Sequence, residues 1–139
     1  AGQHSDDLFR FGTHLGLAFQ VLDDILDWEG KDTGKTLFQD LQEVKLNSIG
    51  VKLVQKSPAA KTMLEAAFAR KNEQGYIREF AELGRSLQAL PEYGETIAWA
   101  RKEAQDHSAF ALSYLDKLPP TVWKDLTRQL TQSLLERMK

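Results

Sequence analysis

The chain has 139 residues, 42% of them hydrophobic and 27% charged, with a formal net charge of −2 and no cysteine. That is length enough for one domain with a core of its own, at an ordinary globular composition. The charge offers no attraction to nucleic acid or to an anionic membrane surface, and the lack of cysteine excludes disulfides and thiolate metal sites. No apolar run approaches the ~20 residues that span a bilayer. The N-terminus carries no basic segment followed by an apolar stretch of the signal-peptide kind, and a cytoplasmic address is expected. The chain opens on Ala1 and enters a periodic helix within a few residues, as a processed chain or a portion of a longer protein would.

Helical periodicity runs nearly the whole length. Ser5 is placed to cap a first helix reaching about Trp28, with Asp6 and Asp7 in its first turn. The stretch from Glu29 to Phe38, with Gly30 and Gly34, reads as a loop. Asp40 and Glu43 have capping-box spacing and predict a second helix through Val54. Ser57-Pro58 is a cap followed by proline at the first helical position, and predicts a helix to about Lys71. Further helices are expected over Tyr76 to Ala89 and Pro91 to Lys117. Pro119-Pro120 breaks the chain, and Thr121 to Arg137 forms a last helix with Val122, Leu126, Leu130 and Leu134 along one face. There is no alternating strand pattern, so residues 1–139 are expected to fold as a single all-α helical bundle.

The first helix carries the candidate chemistry. At about 100° per residue, Asp23, Asp24 and Asp27 share an arc with Gln20, while Leu8, Phe11, Leu15, Ala18, Phe19, Leu22, Ile25 and Leu26 lie opposite. Like charges at this spacing oppose helix formation by a few tenths of a kcal/mol per pair. A divalent cation would remove that repulsion. Oxygen ligands that leave room for phosphate suit Mg²⁺. Gly12 and Gly16, near the polar face, leave space for a close approach. Lys31, Lys35 and Lys45 follow the acids. Carboxylates beside lysines are what a metal-bridged diphosphate requires, the metal joining carboxylate to phosphate and lysine neutralising the remaining oxygens. The segment Gly30 to Thr36 looks like a phosphate-binding P-loop, but it has three residues between its glycines where four are needed, and it follows a helix rather than a strand. His4, His14 and His107 lack metal-ligand spacing and are expected to be structural or surface groups. Trp28, Trp99 and Trp123 are expected to pack, as is the stripe Ile97, Ala100, Ala104 and Ala111.

The run Gly12-Thr13-His14-Leu15-Gly16-Leu17-Ala18-Phe19-Gln20-Val21-Leu22-Asp23-Asp24-Ile25-Leu26-Asp27 closely resembles the second aspartate-rich segment of the trans-isoprenyl diphosphate synthases. Gly34-Lys35 matches that family's following Gly-Lys pair. Asp40-Leu41-Gln42-Glu43-Val44-Lys45-Leu46-Asn47 is similar to its next segment, with Val44 where glycine is usual, Asn47 where threonine is usual and Ile49 in place of a common proline. The tail from Ala104 through Leu118-Pro119 to Arg137 looks like the family's C-terminal helices.

The resemblance implies the C-terminal part of an isoprenoid synthase fold and a Mg²⁺-dependent prenyltransferase that condenses an allylic diphosphate head-to-tail with isopentenyl diphosphate. It implies that Asp23, Asp24 and Asp27 serve the metal, that Lys35 and Lys45 contact diphosphate, and that Phe19 and Gln20 line the site. The first aspartate-rich motif is absent. An N-terminal half of the same enzyme is therefore the implied partner, a homodimer the usual assembly, and this chain alone is expected to be inactive. The competing readings are a non-catalytic helical partner subunit of a heteromeric prenyl synthase and, with less support, a class I terpene cyclase fragment.

Overall fold

The computed structural model describes residues 2–30 and 36–137 and has no strand among them. Seven helices follow one another among the described residues: α1 (Gly2–Glu29), α2 (Gln39–Gln42), α3 (Ser48–Lys56), α4 (Pro58–Ala69), α5 (Phe80–Gln88), α6 (Tyr93–Asp116) and α7 (Val122–Arg137). The all-α architecture expected from the periodicity is the one observed. The chain divides into two compact units, one of Ala1–Asp23 with Arg101–Lys139, the other of Asp24–Ala100.

In the first unit, α1 starts at Gly2, ahead of the expected Ser5 cap, and Asp6 pairs with Arg10 one turn on at 3.0 Å. Phe11 of α1 is buried with Ala111 and Leu115 of α6, and Leu15, Leu112, Tyr114 and Leu118 pack around them. Past Pro119-Pro120, the Thr121 hydroxyl accepts from Lys124 N at 3.1 Å and starts α7. The Lys124 ammonium then donates to the carbonyls of Asp116 and Leu118, at 3.0 and 2.9 Å, and Arg128 forms an ion pair with Asp116.

Those anchors set the rotation of α7. Lys124, Arg128, Thr131 and Leu135 share one face at helical spacing, and Thr131 and Leu135 are the buried ones. The face expected to pack, Val122, Leu126, Leu130 and Leu134, is exposed, and Trp123 with it. Periodicity identified the apolar stripe. The ionic ties to the end of α6 decide which face turns inward.

In the second unit, Ile25, Trp28, Phe38, Leu41, Ile49, Leu53, Leu64 and Leu87 are buried. Ser57 caps α4 as expected, its hydroxyl accepting from Ala60 N at 3.2 Å. The predicted helix from Asp40 to Val54 is instead two helices. α2 stops at Gln42; Val44 N donates to Leu41 O at 3.0 Å and Lys45 N to Asp40 O at 2.8 Å, with Val44 at φ 59°. This is a Schellman C-terminus with valine in the left-handed position that glycine normally fills. A β-branched residue gives no stop signal in sequence, so the break was hidden. α3 restarts at Asn47, whose side-chain oxygen accepts from Ile49 N and Gly50 N at 3.1 and 3.2 Å. The helix expected from Tyr76 begins only at Phe80. Before it, Asn72 Oδ1 accepts from Gln74 N and Tyr76 N at 3.0 and 2.9 Å, and Gly75 takes φ 83°.

Candidate functional site

The acidic segment lies in the last two turns of α1. Helix geometry sets Asp23 and Asp27 one turn apart. Asp23 is exposed, and among the described residues no hydrogen bond or ion pair engages its carboxylate. Phe19 is half-buried and Gln20 exposed. A Cβ on Gly12 or Gly16 would meet no heavy atom within 4 Å, so this face of α1 has room for an incoming group.

Asp24 and Asp27 are held differently. Asp24 Oδ2 accepts from the Ser48 backbone N–H at 3.0 Å and from the Ser48 hydroxyl at 2.6 Å. It thereby anchors the first residue of α3 to α1. Asp27 Oδ1 accepts from Gln39 N at 2.9 Å, and Oδ2 from Asp40 N at a weaker 3.5 Å. α2 begins with Phe38 in the left-handed region at φ 62° and has no cap of its own, so the carboxylate of Asp27 satisfies its first N–H groups. Two of the three aspartates therefore compensate for their mutual repulsion by holding the starts of two short helices, a role the sequence spacing does not show.

Lys45 is exposed, and its ammonium sits 2.8 Å from Glu43 Oε2. That hydrogen bond, with the charge behind it, raises the Lys45 pKa above its ordinary value. An exposed pair of this kind contributes little to stability, so Lys45 is available to an arriving anion. Lys35, Lys31 and Gly34 lie outside the described residues.

The residues that sequence reasoning missed are those beneath the acids. Asn47 Oδ1 accepts the Trp28 indole N–H at 3.1 Å as well as the two α3 amides, and Asn47 Nδ2 donates to Asp40 Oδ2 at 3.2 Å. Asn47-Ser48 before Ile49 is a readable N-cap signal, but its link to Trp28 is not. Trp28 packs edge-on to Phe38 with ring centroids 5.6 Å apart, and its carbonyl accepts from Gln88 Nε2 at 2.7 Å. The turn of α1 that carries Asp24 and Asp27 is thus tied by hydrogen bonds to α3 and α5.

Among the described residues, no three acidic, imidazole or thiol groups converge as a complete metal cage. The donor set still suits a hard cation. Asp23 is open, and Asp24 spends only one carboxylate oxygen on Ser48. Mg²⁺ is ordinarily held by one or two carboxylates, with water and substrate phosphate completing its shell.

A family model described as polyprenyl synthetase matches residues 1–83, which include α1 and Asp40, Asn47 and Ser48 beneath it. The chain belongs to the polyprenyl synthetase family. Among similar proteins are a prenyl transferase of Cyanophora paradoxa, 26% identical over 136 residues, and a prenyl transferase of Synechocystis sp., 30% identical over 137 residues; each alignment covers 96% of this chain and 39% of the relative. The octaprenyl diphosphate synthase of Escherichia coli is 30% identical over 130 residues, covering 91% of this chain and 38% of that protein. This polyprenyl synthetase chain thus spans 38–39% of the length of these relatives. No helix among its described residues is long and apolar enough to cross a membrane.

Proposed function

We propose that this chain supplies one acidic wall of a Mg²⁺-dependent prenyltransferase site, in which an allylic diphosphate is joined head-to-tail to isopentenyl diphosphate. The observation that carries the reading is the open carboxylate of Asp23 beside an aspartate pair clamped in place, within the stretch that matches the polyprenyl synthetase family. Mg²⁺, when bound, would neutralise charge on the departing diphosphate. In this reading Asp23 is the principal ligand of the chain, and Asp27 and Asp24 support the same cation while their hydrogen bonds to α2 and α3 fix their direction. Lys35 contacts the allylic diphosphate. Lys45 joins it by leaving Glu43, an exchange that costs little because the pair is exposed. Phe19 and Gln20 line the approach.

The remaining walls belong to the length of the relatives that this chain does not span, and the partner it needs is that N-terminal half. The reading is tested by calorimetry with inorganic diphosphate. Binding should tighten at least tenfold when Mg²⁺ is present, and Asp23→Ala should abolish the Mg²⁺ dependence. Diphosphate binding that is identical with and without Mg²⁺ defeats the site.

A further inference from the structure

The outer face of α7, in the first unit, is apolar and open. At about 100° per residue, Val122, Trp123, Leu126, Leu130 and Leu134 fall within an arc of roughly 120°. They are 73%, 77%, 50%, 63% and 36% exposed. Thr131 and Leu135, on the other side of the helix, are buried. Lys124 and Arg128, bound to the end of α6, keep α7 from rolling to hide the stripe. The largest apolar patch on a typical monomer is on the order of 300–600 Å², and patches of that kind mark interaction surfaces.

We infer that this stripe docks a second copy of the chain, the two α7 helices packing antiparallel about a two-fold axis level with Arg128. Trp123, Leu126, Leu130 and Ser133 follow the three-four spacing of a helix-pair seam. In the antiparallel register that seam is complementary to itself. Leu126 of one copy meets Leu130 of the other, and Trp123 meets Ser133 and Leu134. The largest side chain of the stripe thus lies over its smallest, at both ends of the pair. A two-fold interface needs this self-complementarity, because each contact is made twice.

Charge agrees with a second copy. Thr127 and Gln129 border the seam beside the axis, where each faces its own symmetry mate, and both are uncharged. No like charges are therefore pressed together at the centre. The exposed charges beside the stripe, Asp125 and Glu136, are acidic, while Lys124 and Arg128 turn inward. That border disfavours an anionic lipid surface, which calls for lysine and arginine around the apolar face. The area sets the strength. Two patches of this size bury about 600–1,200 Å² in all, at or below the lower edge of a standard interface of about 1,200–2,000 Å². The pair is accordingly weak and concentration-dependent, with Trp123 as its principal anchor.

The test is sedimentation of the untagged 139-residue chain across a concentration series. A monomer–dimer equilibrium is expected. It should weaken at least tenfold in Leu126→Glu and in Leu130→Lys, and stay unchanged in Phe9→Glu, which alters an exposed apolar residue of α1. All three positions are exposed, so the fold tolerates the charges. Mixing the Leu126→Glu and Leu130→Lys chains should restore association, because the register sets the new glutamate of one copy against the new lysine of the other. A chain that stays monomeric overturns the inference and leaves the stripe to the length of the relatives that this chain does not span. Association that survives both α7 substitutions, that follows Phe9, or that mixing fails to restore overturns it as well.

Discussion

The indole N–H of Trp28 donates to the side-chain oxygen of Asn47 at 3.1 Å, and that same oxygen caps α3. Trp28 is only 1% exposed, so its N–H has no access to water. Asn47→Ala removes a helix cap, costing about 1 kcal/mol, and strands a buried donor, costing about 1–3 kcal/mol more. A loss of roughly 2–4 kcal/mol in chemical denaturation is expected. Asn47→Thr, which restores a capping hydroxyl, should lose less. Equal losses for the two variants would remove the cap from the account, and an Asn47→Thr variant as stable as the unaltered chain would remove the indole bond.

Asp24 and Asp23 are adjacent in sequence but should respond oppositely. Asp24→Ala releases the backbone N–H and hydroxyl of Ser48 and should cost about 1–3 kcal/mol of stability. Asp23→Ala should change stability by no more than about 0.5 kcal/mol, with a slight gain where like-charge repulsion is relieved. Its effect belongs to Mg²⁺-dependent diphosphate binding. Thermal denaturation of the two variants side by side distinguishes the clamp from the open ligand, and matched losses contradict the division of roles.

Val44 holds a left-handed conformation that disfavours β-branched side chains by about 1–2 kcal/mol. Val44→Gly should therefore stabilise the chain by about 1 kcal/mol, part of the strain relief being offset by the greater freedom of glycine when unfolded. A destabilised Val44→Gly variant would show that the side-chain contacts of Val44 outweigh its backbone strain.

Gly84 of α5 lies against Phe38. A Cβ there would fall 2.4–2.5 Å from the ring atoms of Phe38. The ring has little room to retreat, since Phe38 is buried and its backbone N–H is held by Asp27 O at 2.8 Å. Gly84→Ala improves helix propensity by about 1 kcal/mol but overpacks the core by about 1–3 kcal/mol. A net loss of up to about 2 kcal/mol is expected, readable as a lower denaturation midpoint with an unchanged slope.

The 139-residue chain by itself should not turn over labelled isopentenyl diphosphate with dimethylallyl, geranyl or farnesyl diphosphate in Mg²⁺ buffer. Orientation of two substrates and enclosure from water supply much of such a rate, and removal of one preorganised charge-stabilising donor costs about 10²–10³. Activity that appears when the complementary N-terminal half is supplied supports the proposed function. Robust turnover by this chain alone overturns the reading that it forms only one wall.

Local physics made much of this protein legible from its residues. The 3.6-residue periodicity, the Ser57-Pro58 start of α4 and the Pro119-Pro120 break are set by interactions within a turn or two of helix, and the aspartate motif on α1 is visible because helical spacing brings its acids to one arc. Tertiary structure decided the rest. The break at Val44 goes against the residue's own preference and is imposed by the Schellman bonds and by Asn47 restarting α3. The use of Asp24 and Asp27 to hold α3 and α2 depends on backbone groups 24 and 12 positions away. The face that α7 buries is chosen by Lys124 and Arg128 tying it to the end of α6, not by its apolar stripe. His14 and His107 lie 93 positions apart, and their Nδ1 atoms come within 3.0 Å only where Phe11 packs with Ala111 and Leu115 and sets α1 against α6. Sequence carries short-range geometry directly, whereas long-range pairing exists only once packing has selected which faces touch.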